Sequence, residues 1–262
     1  MFPRGAHKAG TKREGRGSPT VQSTPGTKSL PASQSLAMKL RLCSPPLTEA
    51  RRRLWTHPRV TELFPTFLFR MYCEARATVR LLTAARARLL RTPGDPLAPG
   101  LIAYLTEHIP EETGHDVWLL ESLEVLGFPR DLVMAKLPPP AVAQMVGAQD
   151  YWIQHHHPVA LLGYIKVVEH DSASAAVLED VIARTGLPRG AFRFHFGHAD
   201  IEPHHNEDLD LLLDTLPLEP QHEALVGVST IHTMRQATAV LSEIVTLFEA
   251  RSPAADPAAA LF

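Results

Sequence analysis

From about residue 47 to residue 251, apolar side chains recur at three- and four-residue intervals, the spacing of one face of an α-helix. No stretch alternates apolar and polar positions between hairpin turns as a half-buried strand would. Proline and glycine cut the pattern into elements. Pro46 and Thr48 open a short helix, LTEARRRLW. A long one follows Pro65 and stops at Pro93-Gly94. LAPGLIAYLTEHI comes next, and Pro110 then begins a new helix, EETGHDVWLLESLEVLG, which Gly127 and Pro129 end. Pro140 to His157 forms another, broken at Pro158. ALLGYIKVVEHDSASAAVLEDVIARTG closes at Gly186 and Pro188. AFRFHFGHADIEPHHNEDLDLLLDTL and the segment after Pro220 complete the series. The pattern predicts about seven helices in one all-α bundle, with no internal repeat of about 34–45 residues.

The ends of the chain read differently. Residues 1–37 hold six of the 26 basic residues and one of the 28 acids, among Gly, Pro, Ser and Thr. Such a segment buries too little apolar surface to offset ordering entropy, so a disordered N-terminal segment is expected over 1–45. The bundle is expected over 46–251 and a flexible Ala/Pro-rich tail over 252–262. Met38 is an alternative start. No apolar run of a secretory signal follows the N-terminal charges, and no run of about 18 apolar residues marks a membrane span. A cytoplasmic location is the expectation. The net charge of −2 hides an asymmetry, because beyond residue 37 the chain carries 20 basic against 27 acidic residues, near −7. An acidic bundle gives no reason to expect a nucleic-acid partner. Two cysteines, Cys43 and Cys73, exclude a disulfide scaffold and a multi-cysteine metal site.

Histidine is over-used, with 14 residues, ten of them between His108 and His205. Spacing selects a few. Glu112 and His115 are three apart and would share a helix face, the Glu-x-x-His arrangement of di-iron carboxylate bundles. Glu111 and Glu112 are also what the first turn of a helix after Pro110 would carry for its dipole. His198, Glu202 and His205 fall on one helical stripe at i, i+4 and i+7, with Asp200 and His204 on other faces and His195 one turn before. A carboxylate bridges two metals and a neutral imidazole gives a directional nitrogen donor, so these residue types suit a first-row metal pair. A solvated polar face explains either pattern alone. The phenylalanines and leucines around the second pattern argue for burial, where unpaired charge is costly. Glu169 ends the apolar run LLGYIKVVE, and Glu74 sits in FLFRMYCEARATVRLL, where arginines offer it surface pairing as the alternative. Glu74, Glu112, Glu169 and Glu202 would balance the charge of two divalent ions. The run His155–His157 before Pro158 reads as a solvated cluster, and His57, His170, His222 and His232 read as ordinary core or surface residues.

Taken together and in order, four strings resemble the heme-oxygenase-like di-iron oxidases within the iron-containing redox enzymes. They are Glu111-Glu112-x-x-His115-Asp116 with the following WLLESLEVLG, Leu-Gly-Tyr-x-x-x-x-Glu169, the set His198, Glu202 and His205, and an upstream helical Glu74. The resemblance covers about residues 50–250. It implies a seven-helix heme-oxygenase-like fold binding two irons rather than heme, with O2 as co-substrate. The implied ligand set is Glu74, Glu112, His115, Glu169, His198, Glu202 and His205. Two departures stand out. The family's Asp in the last string is Glu202 here, with Asp200 as the alternative. Where some members place a further carboxylate, before the Glu-x-x-His pair, this chain offers Glu107 and His108, so His108 is an optional ligand.

The implied activity is oxidation of a small molecule (an amino acid, amine or fatty acid) by hydroxylation, desaturation, C–C cleavage or N-oxygenation. An external electron donor and a homodimer fit such an enzyme. Tyr164, Lys166, Phe196 and Trp118 are candidate pocket residues. The alternatives are a metal-independent enzyme on the same scaffold, like thiaminase-II or cofactor-biosynthesis relatives, and a non-enzymatic iron carrier.

Overall fold

A computed structural model of the chain describes residues 30–169 and 173–250, apart from the side chains at positions 199–204. Eleven α-helices and one 3-10 turn follow one another, with no strand among the described residues. They are α1 (Ala32–Cys43), α2 (Pro45–Trp55), α3 (Val60–Leu90), α4 (Ala98–Glu112), α5 (His115–Val125), α6 (Arg130–Met134), α7 (Pro140–His155), α8 (Ala160–Val168), α9 (Ala175–Thr185), α10 (Arg193–Thr215) and α11 (Pro220–Glu249). The all-α class follows from the pattern. The eight segments named from the pattern become eleven helices because α1 and the five-residue α6 are added and ALLGYIKVVEHDSASAAVLEDVIARTG is divided into α8 and α9.

Helix α1 lies inside the segment expected to be disordered; residues 1–29 and 251–262 are outside the described residues. Its order has a simple cause. Leu36 and Leu40 are one turn apart, and both are buried, Leu36 against α10 and α11 residues and Leu40 in the α2–α11 core. Ser33 adds two hydrogen bonds from its N–H and hydroxyl to the Asp214 carboxylate, at 2.9 and 2.7 Å. Helix α3 starts at Val60 rather than after Pro65, and carries buried Pro65 within its early turns.

The two long helices, α3 and α11, form the frame. Helix α3 packs on α4, α5 and α7, while α11 packs on α2, α7 and α8. Helix α8 is buried along eight of its nine residues, which is why its sequence is apolar all round. It can approach α11 so closely because of Gly163: a Cβ there would meet Val226 O at 2.3 Å and the Thr230 backbone nitrogen at 2.8 Å. Across α7 and α11, Gln149 links Ser229 and Thr233 in a buried polar network. Among the described residues, no helix is long and apolar enough to cross a membrane.

Candidate metal centre

Helix α4 supplies the first side chains. Its buried stripe reads Leu101, Leu105, His108, Glu112, so the apolar face ends in an imidazole and a carboxylate. Pro110 does not begin a new helix as expected; it lies within α4, which ends at Glu112. His115 is the first residue of α5. Glu112 and His115 therefore do not share one helix face. The Thr113–Gly114 turn brings them together, with Gly114 at φ +101°. His115 Nδ1 stands 3.0 Å from Glu112 Oε2 and 3.0 Å from His198 Nε2.

Helix α10 supplies His198 and His205, two turns apart along one stripe. Glu169 caps the C-terminus of α8. Two contacts pin that end to α10: Asn206 Nδ2 donates to Glu169 O at 2.9 Å, and Lys166 Nζ donates to Asp210 Oδ1 at 2.6 Å.

These residues form two buried groups in which one potential ligand atom from each member lies within 4.8 Å of the others: His108, Glu112, Glu169 and His205; and Glu112, His115 and His198. Glu112 belongs to both. His198 and His205 serve different groups, so a single stripe of α10 spans the pair. Of the seven residues implied as ligands, five are brought together here: Glu112, His115, Glu169, His198 and His205. His108, the optional one, joins them. Glu74 is in neither group; it lines the cavity beside them. Glu202, with Asp200, lies outside the residues whose side chains are described.

The arrangement is poor as a hydrogen-bonded core. His108 Nε2, Glu112 Oε1, Glu169 Oε2 and both ring nitrogens of His205 are buried without a hydrogen-bond partner among the described residues. His108 Nε2 is nevertheless only 2.9 Å from Glu169 Oε1, and His205 Nδ1 is 3.6 Å from it, close but not aligned for donation. Each orphaned buried polar atom costs about 1–3 kcal/mol. Lone pairs converging in this way are what a cation relieves, and adjacent donors on an ion with bonds of about 2.1 Å fall about 3 Å apart. Carboxylate and imidazole donors suit Fe, Mn or Zn. Neighbouring rings fix the imidazole planes: Tyr104 stacks on His108 at 5.1 Å and Phe194 on His198 at 4.1 Å, while Trp118 lies tilted beside His115 at 4.7 Å.

The electrostatics agree. Burial alone would lower the pKa of His108, but the Glu169, Glu112 and Glu111 carboxylates outweigh it and hold it above the usual value. Burial would raise Glu112, yet His115, His198 and His108 carry it below. Glu74 is different. Burial pushes its carboxyl up to about 7, with only Arg51 opposing.

A cavity of about 510 Å³ opens beside the two groups, its wall including His108, Glu112, Glu169 and His198. Trp55, Phe67, Met71, Ile165 and Val240 make much of the rest. The expected pocket residues are placed elsewhere. Tyr164 bonds Thr78 at 2.8 Å, Lys166 pairs with Asp210, Trp118 packs on His115, and Phe196 lies under Arg189. Glu111, expected only as a first-turn acid and not as a ligand, has its Oε2 3.2 Å from His205 Nε2 and 3.5 Å from His108 Nδ1. Its spacing of three from His108 was the available signal. Two other described histidines have local roles, His157 on Asp95 at 2.7 Å and His222 in the cap of α11.

Two of the solved structures that resemble the chain illustrate its fold. A domain of unknown function with a heme oxygenase-like fold from Shewanella denitrificans OS217 has a TM-score of 0.69 at 17% identity, covering 86% of this chain and 94% of that one. A TenA homolog from Pseudomonas syringae pv. tomato str. DC3000 has a TM-score of 0.66 at 11% identity, covering 87% and 99%. Likeness at such identities is a statement about fold, and the fold is heme-oxygenase-like, as the resemblance implied. No curated protein matches the chain. Residues 65–235 match the family described as iron-containing redox enzymes, and they include every described residue of both groups and Glu74. The chain belongs to the iron-containing redox enzyme family.

Proposed function

We propose that the chain is an O2-dependent non-heme di-iron oxidase acting on a small, largely apolar molecule. The observation that carries this reading is the sharing of Glu112 between two buried groups of imidazoles and carboxylates. One iron would be held by Glu112, His115 and His198, the other by His108, Glu112, Glu169 and His205. Glu74, on the cavity wall, and Glu202 are the remaining candidates to complete the set. Bound as a pair, the irons supply the reducing electrons and open coordination positions that dioxygen activation needs.

The chain's own residues do the rest. The aromatic and aliphatic wall holds the substrate and excludes water, which strengthens every charge interaction inside. The Glu74 carboxyl, held near 7, can carry or release a proton at its oxygen beside the groups. Trp118, Tyr104 and Phe194 keep the imidazoles from turning. Hydroxylation, desaturation, C–C cleavage and N-oxygenation are all compatible with this site.

The test is metal analysis after anaerobic Fe(II) loading, followed by stopped-flow absorbance on mixing with O2. Iron uptake and a transient after mixing are expected; absence of iron binding overturns the proposal. A metal-independent enzyme on this scaffold would retain full activity in His115→Ala and His198→Ala without metal.

A further inference from the structure

His195 is a buried histidine that no part of this metal chemistry uses. It lies one turn before His198 on α10 and lines the cavity. Both of its ring nitrogens are without a hydrogen-bond partner among the described residues. Its surroundings are aromatic: Trp55, Phe64, Phe67, Phe192 and Phe194, all with ring centroids within 6.0 Å. A phenylalanine would fill such a cage at less cost. A buried donor and acceptor with no partner in the protein are destabilising, and they persist where something else pairs them.

We propose that His195 is the substrate-anchoring residue of the cavity, and that it takes an uncharged group able both to donate and to accept a hydrogen bond, a hydroxyl or primary amide, on an otherwise apolar molecule. A neutral imidazole has its N–H donor and its nitrogen acceptor on diverging edges, so a group that can both donate and accept pairs with whichever nitrogen faces the cavity, in either tautomer. Burial pushes the His195 pKa down to about 3, so the ring is neutral at pH 7. No counter-charge stands among the five rings, and of the two arginines on the cavity wall, Arg51 and Arg70, the latter pairs with Glu243, which disfavours an ionised end group at His195. Three residues of helix separate His195 from His198, a rise of about 4.5 Å. The anchored group therefore sits within a few bonds of the position that faces the metal groups. This inference rests on reading the cavity as the substrate chamber of that centre.

The test compares benzyl alcohol with toluene, which share a ring and differ in the hydroxyl. Binding is measured by calorimetry on the full chain, metal-free and loaded anaerobically with Fe(II). Wild type should bind the alcohol about tenfold more tightly than toluene, the worth of one well-made buried hydrogen bond. His195→Phe should lose that preference, keep toluene binding and melt at a higher temperature. His195→Gln, which restores a donor and an acceptor, should recover part of it. Equal binding of both probes by wild type, failure of the alcohol to bind, or a preference surviving in His195→Phe overturns the proposal. So does loss of both probes, or of folding, in His195→Phe, which would assign the ring to the core. Iron uptake is followed in the same samples, so a chain that binds the alcohol but no iron refutes the metal centre and leaves the anchor standing.

Discussion

Glu112 Oε2 and His115 Nδ1 lie 3.0 Å apart although the two residues belong to different helices. The Glu-x-x-His spacing works here through a turn. Helix α4 ends at Glu112, Gly114 takes a left-handed conformation, and α5 restarts at His115 with a new axis. That change of direction lets Glu112 face the His108 group while His115 faces His198.

Gly114 should therefore be a sensitive position far out of proportion to its contacts. A Cβ there meets nothing within 4 Å, so only backbone strain opposes substitution. Gly114→Ala should destabilise the fold by about 1–2 kcal/mol and weaken metal uptake. Gly114→Asn, which tolerates the left-handed region, should recover much of both. Urea unfolding and metal analysis on the same variants check this. Equal behaviour of the alanine and asparagine variants would show that the turn conformation does not matter.

The shared position of Glu112 gives a distinct stoichiometric expectation. His198→Ala removes one nitrogen from one group and should leave about one iron per chain. His205→Ala should do the same for the other group. Glu112→Gln should lower both. The measurement is iron per chain after anaerobic loading and desalting. If Glu112→Gln resembled the single histidine variants, Glu112 would belong to one ion only.

His195 makes stability depend on pH. Its folded-state pKa of about 3 lies below the ordinary 6.5, so the unfolded chain binds the proton first as pH falls. Stability is then fully present above 6.5 and declines below it, by about 2 kcal/mol between pH 6.5 and 5 for this one group. Unfolding of the metal-free chain at both pH values should show a steeper loss for wild type than for His195→Phe. Parallel losses would mean that the ring is not held neutral.

The close crossing of α8 and α11 depends on Gly163. Gly163→Ala places a methyl group against backbone atoms that cannot turn aside. A loss of about 1–3 kcal/mol is expected, with displacement of Glu169 at the end of α8 and weaker metal uptake. Unchanged thermal melting would show that the two helices can separate without consequence.

The fold class was legible because helical periodicity is continuous between residues 47 and 251, and α8 announced its burial by being apolar all round. Helix α1 is not apparent from composition averaged over the segment, because only Ser33, Leu36 and Leu40 in it supply the anchor. In the site, Glu112, His115, Glu169, His198 and His205 were legible from spacing and neighbouring apolar runs. The first pair does not meet on one helix face, because Pro110 stands inside α4, which ends at Glu112 before α5 begins at His115. His108 was within reach of the same logic: it continues the stripe of Leu101 and Leu105 that ends at Glu112. So was Glu111, three residues from His108 on the same helix; the cage of His195 was not, because it depends on which helices meet. Glu74 shows the limit of spacing. Its position on α3 puts it on the cavity wall, and only the approach of other helices decides whether it reaches an ion.

The most direct measurement is anomalous diffraction at the iron edge from crystals grown anaerobically with Fe(II). Two peaks about 3.5–4 Å apart are expected, both within bonding distance of Glu112, one beside His115 and His198 and the other beside His108, Glu169 and His205. A single peak, or none at these side chains, would contradict the di-iron centre.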